Sequence, residues 1–136
     1  MDQEQARTFV REHHRGVLAT LRADDKPQLS PVAAVVDDDG AVMISSRETA
    51  YKVRNLRARP WASYCGFVDG FFGPWVQVEG RAEIVSLPDA MELLVDYYRR
   101  AAGEHPDWDE YRAAMQRDKR VIIRLTIERA GPNVSG

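Results

Sequence analysis

Trp75-Val76-Gln77-Val78-Glu79-Gly80-Arg81-Ala82-Glu83-Ile84-Val85 alternates without a break, with Val76, Val78, Gly80, Ala82 and Ile84 on one side and Trp75, Gln77, Glu79, Arg81 and Glu83 on the other. A period of two over so long a stretch predicts a strand with one buried and one wet face. The same pattern recurs from Val121 to Glu128, where Val121, Ile123, Leu125 and Ile127 alternate with Ile122, Arg124, Thr126 and Glu128. Upstream, Gly16 to Leu21 and Gln28 to Val36 are strands joined by the turn Ala23-Asp24-Asp25-Lys26, and Asp39-Gly40 supplies a tight hairpin into a strand at Val42 to Ser45. Trp61 to Val68 makes a sixth strand. These six strands are interrupted by helical periods: Asp2 to His14 with capping-box spacing at Asp2 and Gln5, Ser46 to Arg59, a helix framed by Ser86 and Asp89 and closed by Gly103, and another beginning near Pro106 with Asp107 and Glu110. Short strands joined mostly by hairpin-length turns predict a mainly β (α+β) chain, a small antiparallel barrel whose openings are covered by helices, Met91, Leu94 and Tyr98 packing one of them over an opening.

Composition sets the outer limits. With 136 residues, 44% of them hydrophobic, the chain makes one domain over 1–136, its last residues 131–136 a loose tail. The formal charge of −2 opposes a nucleic-acid binder dominated by phosphate contacts. No apolar run is long enough to span a membrane, and one cysteine with no apolar leader points to a cytoplasmic protein.

Chemistry-bearing motifs are scarce. His13, His14 and His105 lack the spacing of a metal site, Asp37-Asp38-Asp39 is turn chemistry, and Cys65 falls mid-strand where a small core hydrophobe is expected. Neither a dinucleotide fingerprint nor a nucleophile elbow is present, so no side chain is assigned as catalytic, no metal is expected, and a cofactor must carry any redox chemistry. One segment stands out. In Ser45-Ser46-Arg47-Glu48-Thr49-Ala50-Tyr51-Lys52-Val53-Arg54-Asn55-Leu56-Arg57, two hydroxyls leave a strand and a helix begins whose first turns carry Lys52 and Arg54. Free N–H groups, hydroxyls and a lysine make a phosphate cradle. The alternative is an ordinary helix start followed by a solvated basic face.

The order of these pieces resembles a family. The Gly16-Val17-Leu18-Ala19-Thr20-Leu21 strand, the Lys26-Pro27-Gln28-Leu29-Ser30-Pro31-Val32 strand, the Asp39-Gly40 hairpin, the Ser45 to Arg57 cradle and Val78-Glu79-Gly80-Arg81-Ala82-Glu83 look like the pyridoxamine 5'-phosphate oxidase-like split β-barrel flavoproteins. Within them, the wording around Thr20-Leu21-Arg22-Ala23-Asp24 and Asn55-Leu56-Arg57 looks most like the branch that uses the deazaflavin coenzyme F420. The resemblance implies a six-stranded antiparallel split β-barrel with flanking helices, acting as a homodimer with the cofactor at the subunit interface. It implies a phosphate at Ser45, Ser46 and Lys52, a ring system bordered by Gln28, Ser30, Pro31 and Val32, and Trp75 and Gln77 reaching the neighbouring subunit's cofactor. Relatives that use FMN often carry Arg-Lys where this chain has Tyr51-Lys52, and deazaflavin relatives often place another base where Ala50 stands, a role open here to Arg47 or Arg54. Nothing in Glu128 to Pro132 matches the substrate segment of pyridoxamine phosphate oxidases, which disfavours vitamin B6 oxidation. The expected function is F420-dependent hydride transfer to or from an unsaturated small molecule, with an FMN oxidoreductase or a non-catalytic carrier of a flavin-like or haem-like ligand as alternatives.

Overall fold

The computed structural model describes residues 1–132, so the expected tail falls, beyond Pro132, outside the described residues. Six strands, β1 (Arg15–Leu21), β2 (Pro27–Val36), β3 (Val42–Arg47), β4 (Trp61–Phe67), β5 (Trp75–Val85) and β6 (Arg120–Gly131), close an antiparallel barrel in the order β1-β2-β3-β6-β5-β4. Four helices accompany it: α1 (Gln3–Glu12), α2 (Tyr51–Ala58), α3 (Met91–Ala102) and α4 (Trp108–Arg117).

Alternation decides which side of each strand meets the interior. Leu18, Ala34, Ile44, Tyr64, Val78, Ile123 and their neighbours fill the barrel, and α1 and α2 plug its opposite ends. Ala6 and Val10 of α1 and Val53 and Leu56 of α2 are buried in that same core. The Arg7 guanidinium of α1 donates to the Gly40 carbonyl beside the β2–β3 hairpin, while Asn55 of α2 donates to the Thr20 hydroxyl near the far end of β1. α1 opens with the expected capping box, Asp2 accepting from the Gln5 N–H and Gln5 reaching back to the Asp2 N–H. Asp107 likewise accepts from the Glu110 N–H at the start of α4.

A second apolar layer lies outside the barrel. Val35, Met43 and Ile122 point outward from β2, β3 and β6 and are covered by Ala90, Leu94 and Val95, with Tyr111 from α4. The expectation that α3 lies over an opening is therefore corrected. It covers a wall, because β2, β3 and β6 are apolar on both faces and the outer one needs burial as well.

Other boundaries move for local reasons. β3 continues through Arg47 and α2 starts only at Tyr51, with Ala50 at its N-cap and no side-chain cap, since pairing with β6 holds residues 45 to 47 extended. Ser86 does not cap α3; its hydroxyl donates to Glu48 and accepts from Arg57. Cys65 is half-buried on the outer face of β4 rather than in the core, because Tyr64 and Gly66 take the inward positions. β6 runs past Glu128 to Gly131 after a bulge at Glu79/Gly80, where a Cβ on Gly80 would lie 2.0 Å from the Thr126 carbonyl oxygen. Only glycine fits that close approach.

Candidate functional site

The barrel closes unevenly between β2 and β3. They pair only at Ala34↔Ile44, Val35↔Met43 and Val36↔Val42. Beyond that, β2 continues back to Pro27 on β1 alone, and β3 continues to Arg47 on β6 alone. Two backbone edges thus diverge toward the end of the barrel that α2 covers. Unpaired edges are ready hydrogen-bonding surfaces.

A tyrosine from α3 stands where they part. The Tyr97 hydroxyl donates to the Ala33 carbonyl oxygen at 2.9 Å, and the Ser45 backbone N–H also acts on it. Residues 33 and 45 would be the next pair in the ladder, so the phenol replaces a strand-to-strand contact. Burial raises the Tyr97 pKa, more than Ser45 and the Arg120 charge lower it, which keeps the phenol neutral.

On the β2 side of the split, Ser30 is buried and Gln28 and Val32 are half-buried on the inward face, while Leu29 and Pro31 are exposed. The inward polar groups form one network: Asn55 donates to Thr20, Thr20 to Gln28, and Gln28 to the Ser30 hydroxyl. It leads to a cavity of about 430 Å³ between the β1–β2 turn and α2, lined by Arg22, Ala23, Gln28, Tyr51, Arg54 and Asn55. Tyr51 and Arg54 are exposed on its rim.

On the other side, Ser45 points outward and half-buried, Arg47 is exposed, and Ser46 faces the interior. Ser46 is 2% exposed, and its buried hydroxyl has no hydrogen-bond partner among the described residues. A buried hydroxyl without a partner is uncommon and calls for a ligand or water. Lys52, in the first turn of α2, has its pKa lowered, first by burial and then by the neighbouring Arg120 guanidinium. No carboxylate pairs with Lys52, Arg47, Arg54 or Arg120 among the described residues. Many other arginines are paired, as with Arg100 on Asp96 and Asp38 and Arg124 on Asp37 and Asp39. The cations form an electropositive end suited to a phosphate group, while the orphaned Ser46 hydroxyl lies on the inner face of the β3–β6 wall, opposite to Arg47 and Arg120.

Trp75 and Gln77 are not part of this group within one chain. They lie on the outer face of β5, opposite Phe67 and Cys65 of β4, with Gln77 donating to the Ser63 hydroxyl at 2.9 Å. Arg120 and Tyr97 were not among the residues expected from the sequence. Their places depend on the pairing of β3 with β6 and the docking of α3, neither of which leaves a local signal. The described residues hold no cluster of acids, histidines or cysteines fit for a metal ion.

Comparison with known proteins places this geometry. A family model described as pyridoxamine 5'-phosphate oxidase matches residues 2–132. The chain is 29% identical over 128 residues to an F420H(2)-dependent biliverdin reductase of Mycobacterium tuberculosis, covering 93% of this chain and 84% of that one. It superimposes on the crystal structure of the conserved hypothetical protein Rv2991 of M. tuberculosis with a TM-score of 0.77 at 26% identity, covering 100% of this chain and 92% of the other. A structure named F420 reductase gives 0.69 at 23% identity, with 91% and 94% covered.

Proposed function

The chain belongs to the pyridoxamine 5'-phosphate oxidase family, and from that premise we propose that it is an oxidoreductase that uses the deazaflavin coenzyme F420 on an unsaturated small molecule. The observation that carries this reading is the unpaired cationic end at α2, beside the split between β2 and β3. Ser46, Ser45 and Lys52 hold the cofactor phosphate, and the free edge of β2 from Gln28 to Val32 borders the ring. Arg54, Arg57 and Arg59 attract the coenzyme's acidic tail, which FMN does not have.

When bound, the deazaflavin supplies the hydride. The chain's own contribution is placement, since hydroxyls, amides and cations surround the split, and holding two reactants in register is itself a large part of a hydride-transfer rate. The inward network of Asn55, Thr20, Gln28 and Ser30 fixes the β2 wall by satisfying its side chains internally, and the closed barrel behind it keeps water from that side. The proton comes from solvent.

The working form is a homodimer. The outer face of β1 and of the first half of β2 carries no helix and presents exposed Leu29 and Pro31 beside half-buried Val17 and Ala19, and the β4–β5 turn leaves Phe71 62% and Phe72 91% exposed. A second copy covering this face would bring its Trp75 and Gln77 toward the cofactor. The relative named as a biliverdin reductase makes an open-chain tetrapyrrole the first acceptor to assay.

Titration of the purified protein with F420 and, separately, with FMN, followed by fluorescence, tests the reading. Saturable F420 binding tighter than FMN binding supports it. Binding of neither overturns it, and preference for FMN reassigns the cofactor within the same fold.

A further inference from the structure

We propose that Tyr97 of α3 is a positioning residue for the cofactor: its phenol oxygen stands in the last rung of the β2–β3 ladder and holds the two walls of the split apart. This role rests on the reading of the split as the cofactor site. Tyr97 lies 64 positions from Ala33, the residue whose carbonyl it reaches.

The direction of the backbone groups identifies the rung. In an antiparallel ladder the N–H and C=O of one residue point to the same neighbouring strand, and those of the next residue to the opposite one. The Ala34 N–H donates to the His14 carbonyl, on the β1 side, so Ala33 and Pro31 turn their backbone groups toward β3. The Glu48 N–H donates to the Lys119 carbonyl, on the β6 side, so Arg47 and Ser45 turn theirs toward β2. Continued in register, Ala33 would pair with Ser45 and Pro31 with Arg47. The second pair is limited by composition, since proline has no N–H and the Arg47 carbonyl already accepts from the Ala50 N–H at the turn into α2. That leaves the Ala33–Ser45 rung to close or stay open, and the phenol occupies it. Its hydroxyl donates to the Ala33 carbonyl at 2.9 Å and accepts from the Ser45 N–H. A tyrosine hydroxyl does both at once, so one oxygen takes the place of a direct amide–carbonyl bond.

The helix that carries the phenol is itself fixed. Arg100, on the same face of α3 one turn later, donates to the Val36 carbonyl and pairs with Asp96 and Asp38. Tyr97 and Arg100 thus reach two carbonyls of β2 three residues apart, which sets α3 in register with that strand, while buried Leu94 packs with Val35 and Met43 beneath it. The state of the rung decides the place of both walls of the site. Ser45 belongs to the cradle segment, and Ala33 continues the edge of β2 that runs from Gln28 to Val32. Without the phenol oxygen, the Ser45 N–H and the Ala33 carbonyl face each other as a complementary donor and acceptor, and the ladder advances one rung into the split.

The test uses Tyr97→Leu, which removes the oxygen and the ring, and Tyr97→Phe, which removes the oxygen alone, in the full chain. Tyr111→Phe is the control, because it deletes a buried hydroxyl that donates to the Leu94 carbonyl at 2.7 Å, away from the split. Two readings are taken at a temperature where every variant is folded: fluorescence titration with F420, and the NMR cross-strand contact between the amide protons of Ala33 and Ser45. Those protons meet only when the direct rung forms. Wild type and Tyr111→Phe are expected to lack the contact and to bind F420 alike. Tyr97→Leu gains the contact and binds F420 about tenfold more weakly or worse, with Tyr97→Phe between the two. Where Tyr97→Leu does not fold, Tyr97→Phe decides by the same readings. An equal loss of affinity in Tyr111→Phe reports weakened packing and overturns the proposal, as does unchanged F420 affinity in the Tyr97 variants. If wild type binds neither F420 nor FMN, yet the amide contact appears when Tyr97 is replaced, the wedge stands and the cofactor reading falls. If coenzyme binds and the contact never appears, the cofactor reading stands and Tyr97 does not hold the walls apart.

Discussion

Lys52 concentrates the chemistry of the site into one ammonium group. Burial lowers its pKa below the ordinary 10.5, and the Arg120 charge lowers it further. In the free protein the folded state therefore holds this proton less tightly than the unfolded chain does. The resulting penalty is present below the folded pKa and is relieved as pH rises through it toward 10.5. Lys52→Met removes that alkaline gain, so urea unfolding followed upward from neutral pH shows a flatter stability profile than wild type; identical profiles would contradict the burial of this group. The same residue decides cofactor affinity. A half-buried ammonium–phosphate hydrogen bond contributes roughly 1.5 to 3 kcal/mol, so Lys52→Ala weakens F420 binding by about tenfold to a hundredfold. The ligand-free melting temperature stays nearly unchanged. Arg117→Ala, an exposed change on α4, should leave binding intact, and equal losses in both variants would remove the cradle from consideration.

Helix and strand boundaries carry separable increments of stability. Leu94 is fully buried between α3 and the outer faces of β2, β3 and β6. Truncation to Ala costs about 2 to 5 kcal/mol by lost burial and the cavity left behind, measured by equilibrium unfolding. A near-neutral result would mean that α3 is peripheral. Asp2 is exposed, and its contribution is the capping box that ties α1 to its first turn. Asp2→Ala is expected to cost about 1 kcal/mol in the same measurement, well below the Leu94 effect. The two numbers differ because a cap satisfies backbone donors that water would otherwise serve, whereas Leu94 has no comparable alternative.

Assembly is the property of the whole molecule on which the proposed pocket depends. α3 and α4 cover one side of the barrel, whereas Leu29 at 62% exposure and Phe72 at 91% mark the uncovered side. Exposed apolar surface of this kind usually marks an interface. Sedimentation at micromolar concentration is expected to show a dimer, and Leu29→Asp to shift it toward monomer with a matching loss of F420 affinity. A wild-type monomer that still binds the coenzyme would show that one chain completes the pocket.

Much of the architecture was legible in the residues alone. The period of two from Trp75 to Val85, the Asp39-Gly40 hairpin and the Asp2/Gln5 spacing each specify their element locally, because side-chain alternation, positive-φ turns and helix caps act over only a few residues. The stretch Ser45 to Lys52 could be singled out for the same reason. Where that stretch passes from strand to helix could not, since β6 holds β3 extended through Arg47 and delays α2 to Tyr51. The side of the barrel that α3 covers, the parting of β2 from β3 at Tyr97, and the arrival of Arg120 beside Lys52 all rest on contacts between distant parts of the chain. Such pairings are chosen by the burial of whole faces, so only the closed barrel decides which cations meet at its end.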